Sequence, residues 1–170
     1  MNPLEIIEQL AANRQVFASL FDQKSEAMIR WAPEPNSWSL LEIACHLYDE
    51  EREDFRTRVM HTLHTPELPA PPIDPQGWVK ARDYAGQSFS EKVNGFLLER
   101  ETSISMLRAL EKPDWNNTYH HPALGAFTAY QFLVNWLAHD YHHIRQINRR
   151  LYEYLKHQSP ADLSYAGNWS

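Results

Sequence analysis

Apolar residues recur at helical spacing in four stretches of the chain, separated by breaks rich in proline and polar residues. Asn2-Pro3 opens the first stretch, since a proline at the first helical position gives up an N–H that has no partner there. Leu4, Ile7, Leu10, Ala11, Phe17, Ala18 and Phe21 then keep to one face, and the pattern fades before Pro33 and Pro35. The second stretch begins at Ser39 with Glu42, the spacing of a capping box, flanked by Trp38 and Ile43 as a hydrophobic staple. Leu40, Ile43, Leu47 and Phe55 form its apolar stripe, and the charge run from Asp49 to Asp54 reads mostly as a solvated helix face. Ser88 with Glu91, or Ser90 alone, opens a third helix. Val93, Phe96, Leu97, Ile104, Leu107 and Leu110 are its buried side, and Pro113 ends it. The fourth starts at another capping box, Thr128 with Gln131, stapled by Phe127 and Phe132, and runs to about His157.

Four amphipathic helices predict an all-α fold, a four-helix bundle. Between helices two and three lie residues 62–87, where five of the eleven prolines fall between Pro66 and Pro75, and helix cannot persist through them. Fully extended, this 26-residue segment reaches about 85 Å, against roughly 33 Å for a 22-residue helix. It is long enough to cross back along the bundle and let helices two and three lie parallel. It could instead serve as a lid, or hold a short helix near Trp78 to Tyr84. Residues 112–127 are expected to form a loop. Residues 1–157 read as one domain and residues 158–170 as an irregular C-terminal tail.

Composition narrows the picture further. Five glycines in 170 residues are too few for the turns of a sandwich or barrel. A net charge of -6 provides no basic footprint for nucleic acid. The N-terminal residues lack a signal-peptide pattern, and no apolar run is long enough to span a membrane. One cysteine cannot form an internal disulfide, so a cytoplasmic protein is expected.

Nine histidines are many for this length, and three of them can meet. His139 and His143 are four apart, on one face and about 6 Å along the helix axis, a spacing at which two imidazoles can share a metal ion. Their neighbours Trp136, Leu137, Ile144 and Ile147 are apolar, a costly setting for unpaired imidazoles. Ordinary hydrogen-bonded histidines are the plainer alternative. His46 follows Ile43 at i, i+3 and so faces inward, where it can supply a third ligand. The zinc-protease motif H-E-x-x-H is not met, since position 140 is Asp. Three neutral imidazoles would leave one position open for water or substrate. Such an ion can bring the pKa of water to about 7 or bind a thiol as thiolate, so hydrolysis and thiol transfer are both available.

Trp38-Ser39 leading into Glu42-Ile43-Ala44-Cys45-His46-Leu47 resembles the W-S-x-x-E-x-x-x-H-L block of the DinB-like superfamily. His139 to Ile147 resembles its second block, H-x-x-x-H-x-x-Q-I, and His121-Pro122-Ala123-Leu124-Gly125 resembles the H-P-x-x-G that precedes its last helix. The resemblance spans nearly the whole chain. It implies an up-down-down-up bundle with a long crossover between helices 2 and 3. It also implies a divalent metal, nickel or zinc, on His46, His139 and His143. Relatives include metal-dependent hydrolases of the YfiT type and S-transferases that use bacillithiol or mycothiol. The expected function is therefore a hydrolase or thiol S-transferase acting on a small molecule, with a homodimer as the expected assembly. The alternative is a non-catalytic, stress-associated bundle that binds a metal or ligand.

Other candidates carry weaker expectations. Glu50, at i+4 from His46, is either a general base or metal-supporting residue or a solvated glutamate, and Asp49 is a fainter version of the same idea. His142 points away from His143, although its i, i+3 spacing to His139 leaves a slipped ligand pair open. His121 could lie near the mouth of the site, His120 reads as a loop residue, and His61 and His64 read as solvated. Cys45 reads as a small buried residue.

Overall fold

The computed structural model describes residues 1–35, 37–167 and 169. Four long helical segments carry the fold: α1 (Pro3–Phe21), α3 with α4 (Leu40–Glu50 and Arg56–His64), α6 (Phe89–Arg108) and α7 (Ala129–Gln158). A π-helical turn, Glu51–Phe55, joins α3 to α4, so the backbone stays helical from Leu40 to His64. Both capping boxes form, Ser39 with Glu42 and Thr128 with Gln131, and a third forms between Asn2 and Glu5. Ser88 is the N-cap of α6, accepting from the Glu91 backbone N–H. Phe127 and Phe132 meet with ring centroids 5.3 Å apart at the start of α7.

Helix α1 packs against α6 and α7, and the α3–α4 segment packs against the same two helices. Along α1 and α6 the partners are Glu8 with Arg108, Arg14 with Glu101, Phe17 with Phe96 and Phe21 with Phe89. Along α1 and α7 they are Met1 with Tyr130 and Asn13 with Asp140. Glu51 meets Arg100 and Arg56 meets Glu99 on α6, while His46 meets His143 and Glu51 meets Trp136 on α7. Gly95 lets α6 approach Tyr48 closely: a Cβ there would lie 2.9 Å from the tyrosine ring.

Two apolar cores fill the bundle. One gathers Ile6, Leu10, Val59, Ile104, Leu133 and Trp136, and the other gathers Phe17, Phe21, Ile43, Leu47, Phe96 and Ile147. Between them lies a polar layer. Arg100 is fully buried and donates two hydrogen bonds to Glu51, both at 2.9 Å, and two to Asp140, both at 2.7 Å. Asn13 donates to Asp140 at 3.0 Å and Trp136 Nε1 donates to Glu51 at 3.0 Å. The two carboxylates neutralise and satisfy the guanidinium, which is how a cation survives away from water.

Two expectations change, and the short helix offered as an alternative within the connection is present. Residues 118–128 are a β-hairpin rather than loop, with β1 (Thr118–His121) antiparallel to β2 (Gly125–Thr128) and His121 opposite Gly125. The proline-rich connection holds a short helix, α5 (Pro75–Ala81), capped by Asp74, and a 3-10 turn at Tyr84–Gly86. Its Trp78 and Tyr84 pack onto Leu41 and Cys45, forming a third small core with Ile29 of α2 (Glu26–Arg30). The charge run Asp49 to Asp54 is not a solvated face, because Asp49, Glu50 and Glu51 are all buried. Partners from other elements explain the burial. Tyr84 Oη donates to Asp49 at 2.8 Å, Arg82 bridges Asp49 and Glu53, and Arg100 holds Glu51.

After α7 the described residues are irregular apart from a 3-10 turn at Ser164–Ala166, and Trp169 stacks on Tyr152 with centroids 4.7 Å apart. Among the described residues, no helix is long and apolar enough to cross a membrane.

Candidate metal centre

His46 stands on α3 seven residues into the helix, and its capping box fixes where that helix begins. Ile43 and Leu47 beside it are buried in the core, and Trp38, just before the cap, lays its ring 4.8 Å from the imidazole. His139 and His143 stand one turn apart on α7, opposite His46. The Nε2 atoms of His46 and His139 are 3.3 Å apart, and those of His143 and His139 are 3.0 Å apart. All three ligand atoms lie within 4.8 Å of one another.

Three nitrogens each about 2.0–2.1 Å from one ion would be separated by roughly 2.8–3.4 Å, for angles between octahedral and tetrahedral. The His46–His139 and His143–His139 separations fall in that interval. Burial, reinforced by the neighbouring imidazoles, holds His46 down at about 3 and His139 well below its ordinary value. Burial also holds His143 down at about 4, although its bond to Gln146 opposes the shift. At neutral pH all three are therefore uncharged and carry a lone pair. Gln146 Oε1 lies 2.7 Å from His143 Nδ1, so that nitrogen donates and Nε2 is left as the ligand atom. Three neutral imidazoles fit a divalent transition-metal ion.

The histidines floor a cleft of about 650 Å³ whose walls include Trp38, Glu50, Gln76, His142, Gln146 and Arg150. A groove of about 740 Å³ between α1, α2 and α6 is lined by no histidine. Glu50 faces the histidine cleft and is buried, not solvated. Burial and the nearby Asp54 push its carboxyl up to about 8, so it holds a proton near neutral pH. His142 is exposed at the rim, edge-on to His143, and its ligand-pair alternative finds no support in the convergence of the other three.

The remaining candidates lie elsewhere. Asp49 turns to Tyr84, Arg52 and Arg82. His121 does not line the cleft: its Nδ1 accepts from Ala123 and Leu124, both at 3.1 Å, and closes the hairpin turn with Gly125 at φ +88. His61 is half-buried, with its ring 5.0 Å from Tyr119 and Nε2 3.0 Å from the Leu68 carbonyl, while His64 is exposed. Cys45 is buried as expected, its thiol pushed up to about 12 by burial, which removes it as a nucleophile. Asp140 faces Arg100 on the interior side of α7, so the place of the zinc-protease glutamate is taken by a structural ion pair.

A family model described as the DinB superfamily matches residues 9–147, which include all three histidines. The chain belongs to the DinB superfamily. Among solved structures, this DinB-superfamily chain is similar to that titled "YfiT from Bacillus subtilis is a probable metal-dependent hydrolase with an unusual four-helix bundle topology". The two are 17% identical with a TM-score of 0.77, over 87% of this chain and 85% of the other. At that identity the likeness establishes the fold. No curated protein matches this DinB-superfamily chain significantly.

Patterning singles out neither Gln146 nor Arg150 and reads Trp38 only as a hydrophobic staple, although Trp38 and Gln146 stand inside the two family blocks. No local signal pairs Arg100 with Glu51 and Asp140, which come from three different helices.

Proposed function

We propose that this protein is a metal-dependent enzyme acting on a small molecule, with His46, His139 and His143 as the ligands of one divalent ion. The convergence of three neutral Nε2 atoms on the floor of one cleft carries the reading. A bound ion would supply Lewis acidity and make water at the open position easier to deprotonate. Hydrolysis is the favoured reaction, because Glu50 lines the same cleft and its carboxyl, at about 8, can give and take a proton near neutral pH. Gln146 keeps His143 in the tautomer that presents Nε2, and Trp38 shields one face of His46.

The bundle order supports the same reading. Partners along α1 and α6 run in opposite directions, and those along α1 and α7 run together. Partners along α3–α4 and α6 run together, since Tyr48 meets Lys92 and Gly95 while Arg56 meets Ser103 further along both segments. We infer an up-down-down-up bundle over residues 1–157, with the crossover between α4 and α6. In that order the two histidine-bearing segments, from opposite ends of the sequence, become neighbours.

Esters and amides, offered to the metal-loaded protein with and without bacterial thiols, test the reaction. Metal-dependent turnover without thiol, reduced at least tenfold in Glu50→Gln, is expected. Turnover only with a thiol would establish S-transfer instead. Metal uptake without turnover in either arm would favour a non-catalytic binding protein.

A further inference from the structure

The stripe of α7 that carries two of the histidines continues beyond them. His139, His143, Gln146 and Arg150 follow one another at helical spacing, and all four line the cleft. Arg150 lies about 10 Å along the axis from His143, and an arginine side chain on a helix reaches back toward the N-terminus, here toward the histidines. Arg150 is buried to 7% exposure, and its Nε has no hydrogen-bond partner among the described residues. Two carboxylates bear on it. Glu153 accepts from Nη1 at 2.8 Å, and Glu42 is already engaged by the Ser39 backbone and hydroxyl at 2.8 and 2.9 Å. The side-on edge of the guanidinium, Nε with Nη2, matches the two coplanar oxygens of a carboxylate. Buried donors of this kind are ordinarily satisfied.

We propose that Arg150 is the substrate-anchoring residue of this cleft, and that it takes the carboxylate of a small molecule whose other end reaches the three histidines. Arg150 is the single arginine among the described residues lining this cleft, and in a protein of net charge -6 it suits a monoanion better than a dianionic phosphate. Gln146 stands between the two ends: its oxygen serves His143, and its NH2 group remains for a polar atom of the ligand. Glu153, on the same helix, competes for the guanidinium and limits how tightly the anion is held.

The proposal rests on the metal-centre reading, and the test separates the two. The protein is loaded with cobalt(II), and thiolate binding is followed by its near-ultraviolet charge-transfer band. The probes are 3-mercaptopropionate and its neutral amide, 3-mercaptopropionamide. The wild-type protein should bind the acid about tenfold or more tightly than the amide, the size expected of a charge-assisted bond. Arg150→Met should lose that preference and keep the amide affinity. Glu153→Gln should strengthen acid binding severalfold without changing the amide, which keeps the proposal testable if Arg150→Met fails to fold. Equal affinities for acid and amide in the wild type, or a preference that survives Arg150→Met, would overturn the anchor and leave the metal centre standing. Failure to take up cobalt would overturn both.

Discussion

Arg100 shows how closely structure and site are joined at the residue scale. Its guanidinium bonds to Glu51 and Asp140 at the level where His139 and His143 leave α7 for the cleft. Removing one member of a buried ion network strands the others, at a cost of about 3–5 kcal/mol. Arg100→Leu should therefore lower the unfolding free energy by roughly that amount, as read from the urea midpoint, because two carboxylates would be left in the core. Glu50 makes a different prediction. Its ordinary value near 4.5 is raised to about 8 in the fold, so between those values the folded chain holds a proton that the unfolded chain has released. Its contribution is complete at low pH and is lost as pH rises through about 8. The stability of Glu50→Gln relative to wild type should thus increase from pH 5 to pH 9 in denaturant titrations, and a pH-independent difference would contradict the burial of that carboxyl. Neither role could be read from the charge run, because the sequence shows the acids but not the Arg100, Tyr84 and Arg82 that draw them inward.

At the scale of elements, the chain was most legible where local chemistry decides the outcome. Capping boxes at Ser39 and Thr128 form as the spacing implied, since each is closed by residues three apart. Ser39→Ala should lower stability by about 1 kcal/mol, measured by thermal or urea unfolding, while leaving the number of bound metal ions unchanged. The hairpin was illegible because its strands are only four residues long and are held by Asn117, Trp115 and the start of α7. Its motif, His121 to Gly125, carried meaning of a different kind: the imidazole caps the turn and the glycine supplies a positive φ. Gly125→Ala should cost about 1 kcal/mol for placing a Cβ in the left-handed region. The π turn at Glu51–Phe55 falls immediately after Glu50 and lets consecutive acids serve different places, Glu50 the cleft and Glu51 the Arg100 layer. Patterning does not reveal such a turn, because one extra residue leaves the apolar stripe nearly intact.

For the whole molecule, two apolar cores flank the buried Arg100 layer, and the three histidines converge beside it. The three histidines titrate near 6.5 when unfolded but are depressed in the fold, to about 3 for His46 and about 4 for His143. Below pH 6.5 the unfolded chain takes up protons that the folded chain refuses, so the metal-free protein should lose stability as pH falls toward 4. A divalent ion bound to the folded state should raise the Tm and make it depend on metal concentration. The most direct test is the metal content of untagged protein by elemental analysis, for wild type and for His46→Ala, His139→Ala and His143→Ala. One divalent ion per chain in the wild type, falling sharply in each variant, is the predicted result. Metal content unchanged by all three substitutions, in folded protein, would contradict the three-histidine centre.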